Sequence, residues 1–127
     1  MQNNKSIKKN LYKNFYDESD GMTLFDACHS GNKELVSRLI LLGANIHKED
    51  RNGRTPLFDA CHSGNKYLVS YLISSGANIH KEDKNGRTPL FDAYHSGNKE
   101  LVNYLISSGA NIFKEDISGR ISLFDSL

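Results

Sequence analysis

The chain has no tryptophan, two cysteines, two prolines and almost no net charge in 127 residues. Each scarcity excludes something. Cys28 and Cys61 lie in near-identical surroundings, and two copies of one position do not make a disulfide framework. A reducing, intracellular setting, cytoplasmic or nuclear, is the expectation. Lys plus Arg is 16 against 15 Asp plus Glu, so bulk electrostatic capture of nucleic acid or an anionic membrane is not expected. No apolar run approaches the roughly 18 residues of a membrane span. The opening "MQNNKSIKKNLYKN" carries lysines with no apolar stretch behind them, unlike a secretory signal. Gln2 stands where myristoylation needs glycine, and the closing "LFDSL" carries no prenylation cysteine. No glycine-rich phosphate loop is present, and no cofactor is expected.

What the chain has instead is repetition. "LFDACHSGNK" at 24–33 returns at 57–66, and "LFDAYHSGNK" follows at 90–99, a period of 33 residues. Asp50–Glu82 and Asp83–Glu115 differ at five positions only: Arg51/Lys84, Cys61/Tyr94, Tyr67/Glu100, Ser70/Asn103 and His80/Phe113. An earlier copy over 17–49 matches from Leu24 onward, and a fourth begins at Asp116 and stops at Leu127.

Each unit reads as two short helices and a hairpin. Thr55-Pro56 opens the first, with Thr as N-cap and Pro at the first helical position. Leu57, Ala60 and Cys61 share one face. Ser63-Gly64-Asn65 breaks the helix, and Asn65 caps the next, whose stripe is Leu68, Val69, Leu72 and Ile73. Gly76 supplies a left-handed terminus. Asn52-Gly53 and Asn85-Gly86 are hairpin turn signals. One such unit cannot bury its own apolar face, and stacking on its neighbours does so. Residues 1–16 lack the pattern. Ile7, Leu11, Tyr12, Phe15 and Tyr16 predict a short amphipathic helix capping the first repeat.

The reactive residues of "DACHS" do not read as a catalytic group. Consecutive helical residues diverge, so Cys61 and His62 do not pair. Asp59 and His62, three apart, are expected to meet. Cys61 lies on the buried stripe as a small hydrophobe. His29, His62 and His95 sit on helices about 8–10 Å apart, too far to share a zinc ion with bonds of about 2 Å. No metal site and no enzymatic activity are expected.

The run "DKNGRTPLFDAYHSGNKELVNYLISSGANI" (83–112) resembles the ankyrin-repeat family: Asp and Gly in the hairpin, Thr-Pro-Leu, Gly between the helices, paired aliphatics, then Gly-Ala-Asn-Ile. The resemblance covers about 17–127 and implies an all-α solenoid. The family's usual His after Thr-Pro-Leu is Phe25, Phe58 and Phe91 here, where apolar packing is expected to replace its hydrogen bond. The first unit has "DGMTL" for "GRTPL", and Ile121-Ser122 replaces Thr-Pro in the last.

The resemblance implies non-catalytic protein–protein binding through a concave groove of hairpin tips and first helices. By matched position the partner-binding residues are Arg51, Asn52, Arg54, Asp59 and His62, then Lys84, Asn85, Arg87, Asp92 and His95, with Arg120 in the last unit. A row of arginines at 54, 87 and 120 points to an acidic partner segment. The competing reading is that duplication copied these rows, with Asp50, Asp83 and Asp116 balancing the arginines. A second function class is a structural or self-assembling segment of a longer array, since the apolar C-terminal end would support weak association of an otherwise monomeric chain. The resemblance also raises hydroxylation of Asn45, Asn78 or Asn111 as a testable modification.

Overall fold

The computed structural model describes residues 23–127; the capping helix expected over 1–16 lies outside them. Six α-helices run in pairs: α1 (Leu24–His29) with α2 (Lys33–Leu41), α3 (Pro56–Ser63) with α4 (Lys66–Ser74), and α5 (Pro89–Ser96) with α6 (Lys99–Ser107). A 3-10 turn, η1 (Ser122–Ser126), closes the chain. The first helices α1, α3, α5 and η1 pack in one row, and α2, α4 and α6 in a second. The core lies between the rows. Leu57, Leu68, Leu72, Leu90, Leu101 and Leu105 are all essentially inaccessible there.

Helix ends explain why so short a unit holds its shape. Asn65 Oδ1 accepts from the backbone N–H groups of Tyr67 and Leu68, and its Nδ2 donates 2.8 Å to Gly31 O in the preceding repeat. Asn98 does the same, with Nδ2 donating 2.7 Å to Gly64 O. One side chain therefore starts a helix and ties two repeats. At the far end, Gly76 N–H bonds Ile73 O, and Ala77 N–H bonds Leu72 O. That double bond requires the left-handed conformation of Gly76, at φ 106°.

Two local expectations are corrected. Thr55 and Thr88 occupy the N-cap positions, but neither side chain makes a cap bond. The N–H that a threonine hydroxyl would cap, that of Phe58 or Phe91, donates 3.0 Å to the carbonyl of Thr55 or Thr88 instead, and Phe at the third helical position offers no side chain to complete a capping box. In the first unit Thr23 stands in the proline's register, so the helix starts one residue later and Asp26 falls at N3. There the capping box forms, with Thr23 N–H donating 3.1 Å to Asp26 Oδ2 and Asp26 N–H donating 3.2 Å to Thr23 Oγ1.

The hairpins, in turn, are tight turns rather than β-ladders. Asp50 O accepts from Gly53 N–H, and Asp50 N–H donates to Arg54 O. Only the glycine takes positive φ, at 76°. The sole bridge among the described residues is Glu115 with Ile121. The tips nevertheless stack, because Lys84 N–H donates 2.9 Å to Asn52 O and Ile117 N–H donates 2.9 Å to Asn85 O.

Candidate functional site

The face formed by the hairpin tips and first helices is built on a chain of carboxylates and guanidiniums. Asp83 Oδ1 accepts from the N–H groups of Asn85 (2.8 Å) and Arg87 (3.0 Å), which holds its own turn. Its Oδ2 accepts from Arg54 Nη1 of the preceding repeat at 2.9 Å. Arg54 Nη2 donates to Asp92 on α5. One repeat on, Arg87 donates to Asp116 (3.2 Å) and to Asp125 of η1. Each guanidinium also lies over a phenyl ring, Arg54 on Phe58 and Arg87 on Phe91, both at 4.6 Å. This is what the expected His-to-Phe replacement does: it provides a platform for the arginine.

Two of the three arginines of the expected row, Arg54 and Arg87, therefore sit against carboxylates of this chain. Arg54 and Arg87 are only about a quarter exposed, at 26% and 27% of their side chains, and both terminal nitrogens of each donate to this chain's own carboxylates. Asp83 and Asp116, expected to balance the arginines, each accept from one of them, as do Asp92, expected among the partner-binding residues, and Asp125, which the sequence did not single out. Arg120 is exposed, and its side chain makes no hydrogen bond or ion pair among the described residues, although its charge helps to lower Asp116. Arg51 and Lys84, at matching tip positions, are likewise exposed and unpaired among them. Asn52 and Asn85 lie beside them with exposed side chains.

Beneath the tips run His29, His62 and His95, all exposed. Their rings stack at 5.4 Å and 5.2 Å between centroids, inclined by 14° and 18°. The expected Asp59–His62 contact within α3 is replaced by a contact across repeats: Asp59 lies 3.4 Å from His29 Nδ1, and Asp92 lies 3.9 Å from His62 Nδ1. The carboxylate and imidazole rows are offset by one repeat. A lone pair lies in its ring plane, so parallel rings do not aim at one ion, and no cluster of three metal-ligating side chains exists among the described residues.

Burial governs the titration of this face. It pushes Asp59 upward against the pull of His29 and Arg54, and lifts Asp92 to about 6 despite the Arg54 bond. His62 is lowered, first by desolvation and then by the flanking His95, His29 and Arg54. Asp116 is lowered, chiefly because Arg120 N–H donates to it. A cavity of about 360 Å³ opens here between Arg54, His62, Arg87, Asp92 and His95. Cys28 and Cys61 are fully buried, and burial raises the Cys28 thiol to about 12 and Cys61 well above its ordinary value. Neither is a nucleophile at neutral pH.

The outer row offers less. Tyr71 and Tyr104 are half-buried against the core, and Lys33 Nζ lies 5.3 Å from the Tyr71 ring centre in the neighbouring repeat. Lys81–Glu49 (3.2 Å) and Lys114–Glu82 (3.4 Å) join successive units between the rows. Asn45, Asn78 and Asn111 each accept 2.8 Å from the N–H two residues on, so their side chains brace the turn after each second helix. No helix among the described residues is long and apolar enough to cross a membrane.

Comparison with known proteins agrees with this architecture. A family model described as ankyrin repeats, in three copies, matches residues 24–116. A search of curated proteins returned no match. Ankyrin repeats are generally protein–protein interaction modules and typically non-catalytic. With paired helices stacked through asparagine and arginine bridges, and a family match over most of its length, this chain belongs to the ankyrin-repeat family.

Proposed function

We propose that the chain is a non-catalytic binding module that holds an acidic segment of a partner protein along its concave face. The observation that carries this is the division of its cations into two sets. Arg54 and Arg87 are neutralised internally, whereas Arg51, Lys84 and Arg120 on successive tips are exposed and unpaired among the described residues. Backbone hydrogen bonds hold the tips together, with Arg51 and Lys84 at the same tip position and Arg120 at the position that Arg54 and Arg87 hold in theirs. Arg51 and Arg120 suit bidentate capture of carboxylates. The exposed imidazoles of His29, His62 and His95 supply further donors below them.

The test is selection of peptides from a random display library against the purified chain. Enrichment of Asp- and Glu-rich peptides is expected, with affinity falling as salt rises. Arg51→Glu, Lys84→Glu and Arg120→Glu together should weaken these peptides at least about tenfold. Arg38→Glu on the outer row should not. Selected peptides without acidic bias, or insensitive to the tip changes, would refute the reading.

A second reading, association through the C-terminal end, has its own observation. Phe113, Ile117 and Leu127 are 75%, 74% and 88% exposed there.

A further inference from the structure

Beneath the tips, three exposed imidazoles act on one another. His29 on α1, His62 on α3 and His95 on α5 stack ring on ring at 5.4 Å and 5.2 Å. Two adjacent rungs that both carried a proton would set like charges at that separation, so each proton on the ladder opposes the next. Other ionisable groups stand around each rung. His29 faces Asp59 of α3 at 3.4 Å, while Asp26 of its own helix is held by Thr23. Asp59 in turn lies in the field of Arg54 and Asp50. His62 faces Asp92 of α5 at 3.9 Å, with both neighbouring imidazoles and Arg54 near enough to disfavour its charge. His95 shares the cavity of about 360 Å³ with His62, Arg54, Arg87, Asp92 and Asp125. Two of these carboxylates are already engaged, since Asp92 accepts from Arg54 and Asp125 from Arg87.

We propose that this ladder is a proton gate: the chain holds an acidic partner segment more tightly as pH falls from about 7.5 to about 5.5, because the segment draws protons onto His29, His62 and His95. The inference rests on the acidic-partner reading and supplies its regulation. Imidazoles change charge in this window, whereas a partner's carboxylates, with ordinary values of about 4, stay ionised throughout it. Without a partner, like-charge opposition disfavours full charging of the stack. His62 shows this, since desolvation and then His95, His29 and Arg54 lower it. A row of carboxylates laid across the rungs offsets that opposition. Binding and protonation then favour each other, and by linkage affinity rises as protons become available. Asp92 acts in the same direction. Burial raises it to about 6, so it takes a proton over the same interval and ceases to offset the cations beside it.

The experiment follows the imidazole C–H signals of the isotope-labelled chain by NMR, from pH about 8 to about 5 at fixed salt, alone and with an end-capped peptide of four Asp-Gly-Ser repeats. The midpoints of His29, His62 and His95 should all rise when the peptide is present. His47 and His80 are exposed but lie outside the cavity, so they serve as controls in the same molecule and should not respond. Peptide affinity, measured alongside by calorimetry, should be at least about tenfold greater at pH about 5.5 than at about 7.5, the linked consequence of those rises. In the free chain, His29→Gln together with His95→Gln should raise the midpoint of His62, because the opposing charges are gone. Both replaced side chains are exposed, so this variant is expected to fold, as circular dichroism would verify.

Equal affinity at the two pH values would overturn the gate while leaving the acidic-partner reading standing. Absence of binding at both would overturn the two together. An affinity that rises with acid while the three ladder midpoints stay fixed would assign the response to Asp92, and that too would overturn the proposal. A His62 midpoint indifferent to the loss of both neighbours would do the same.

Discussion

Replacing Arg54 with methionine isolates the bridge between repeats two and three. Methionine keeps the stem over Phe58 and deletes the guanidinium. Asp83 and Asp92 then lose their cation, and their side chains are only 2% and 9% exposed. Breaking a fully buried pair costs about 3–5 kcal/mol. The arginine is 26% exposed, so solvent offsets part of this, and about 2–3 kcal/mol is expected. With a urea dependence of about 2 kcal/mol per molar, the midpoint should fall by roughly 1–1.5 M. Arg120→Met breaks no ion pair and leaves Asp116 bonded to Arg87, so its cost should stay within about 0.5 kcal/mol. Adding Asp83→Asn and Asp92→Asn to Arg54→Met should restore much of the loss, because the stranded charges are gone while an amide oxygen can still hold the turn. The assay is urea unfolding followed by circular dichroism at neutral pH. Equal losses for Arg54→Met and Arg120→Met, or no recovery in the triple variant, would refute the reasoning.

Three further outcomes follow from the same geometry. Burial raises Asp92 from 3.8 to about 6, so the fold binds its proton more tightly than the unfolded chain does. This stabilisation is complete below the ordinary aspartate range and is lost as pH rises through about 6. Relative to Asp92→Asn, the wild type should therefore lose stability between pH values of about 4 and 7.5, by up to about 3 kcal/mol. A pH-independent difference in urea midpoints would count against it. Gly64→Ala and Gly97→Ala both impose left-handed strain of about 1–2 kcal/mol, but only Gly64 also faces Ser96 at 3.4 Å. Gly64→Ala should thus be the more destabilising in thermal melts, and equal losses would deny the close inter-repeat contact. Cys28 and Cys61 should resist a thiol reagent in the native protein and react only on unfolding, whereas prompt labelling at neutral pH would show that the core opens readily.

The fold was legible because its signals are local and recur. Pro56 and Pro89 fix helix starts, Asn65 and Asn98 cap, Gly76 ends a helix, and the Leu68–Leu72 stripe faces inward. Copying at a period of 33 residues made each signal visible more than once. What depended on the neighbour in space was harder to read. The Arg54–Asp92 bond joins residues 38 apart, and nothing within one unit distinguishes a bridging arginine from a solvated one. Asp59 was assigned to His62 by helical spacing, but the stack sets His29 closer. The Asp-x-Asn-Gly-Arg pattern did hold a clue, since Asp83 and Asp116, each heading a tip, face the arginine of the tip before. The missing threonine caps have a simpler cause, because the N–H groups of Phe58 and Phe91 bond the threonine carbonyls rather than the hydroxyls.

On the proposed function, partner binding rests on the free tip cations rather than on the bridging arginines. The most direct measurement is paired capture from a lysate of the source cells, read by quantitative mass spectrometry. The baits are the wild type, the variant carrying Arg51→Glu, Lys84→Glu and Arg120→Glu, and an outer-row control carrying Arg38→Glu. All three are first checked for fold by circular dichroism. The account predicts a protein with an acidic segment that is retained by the wild type and the control and lost from the tip variant. A partner held equally by all three baits would contradict it.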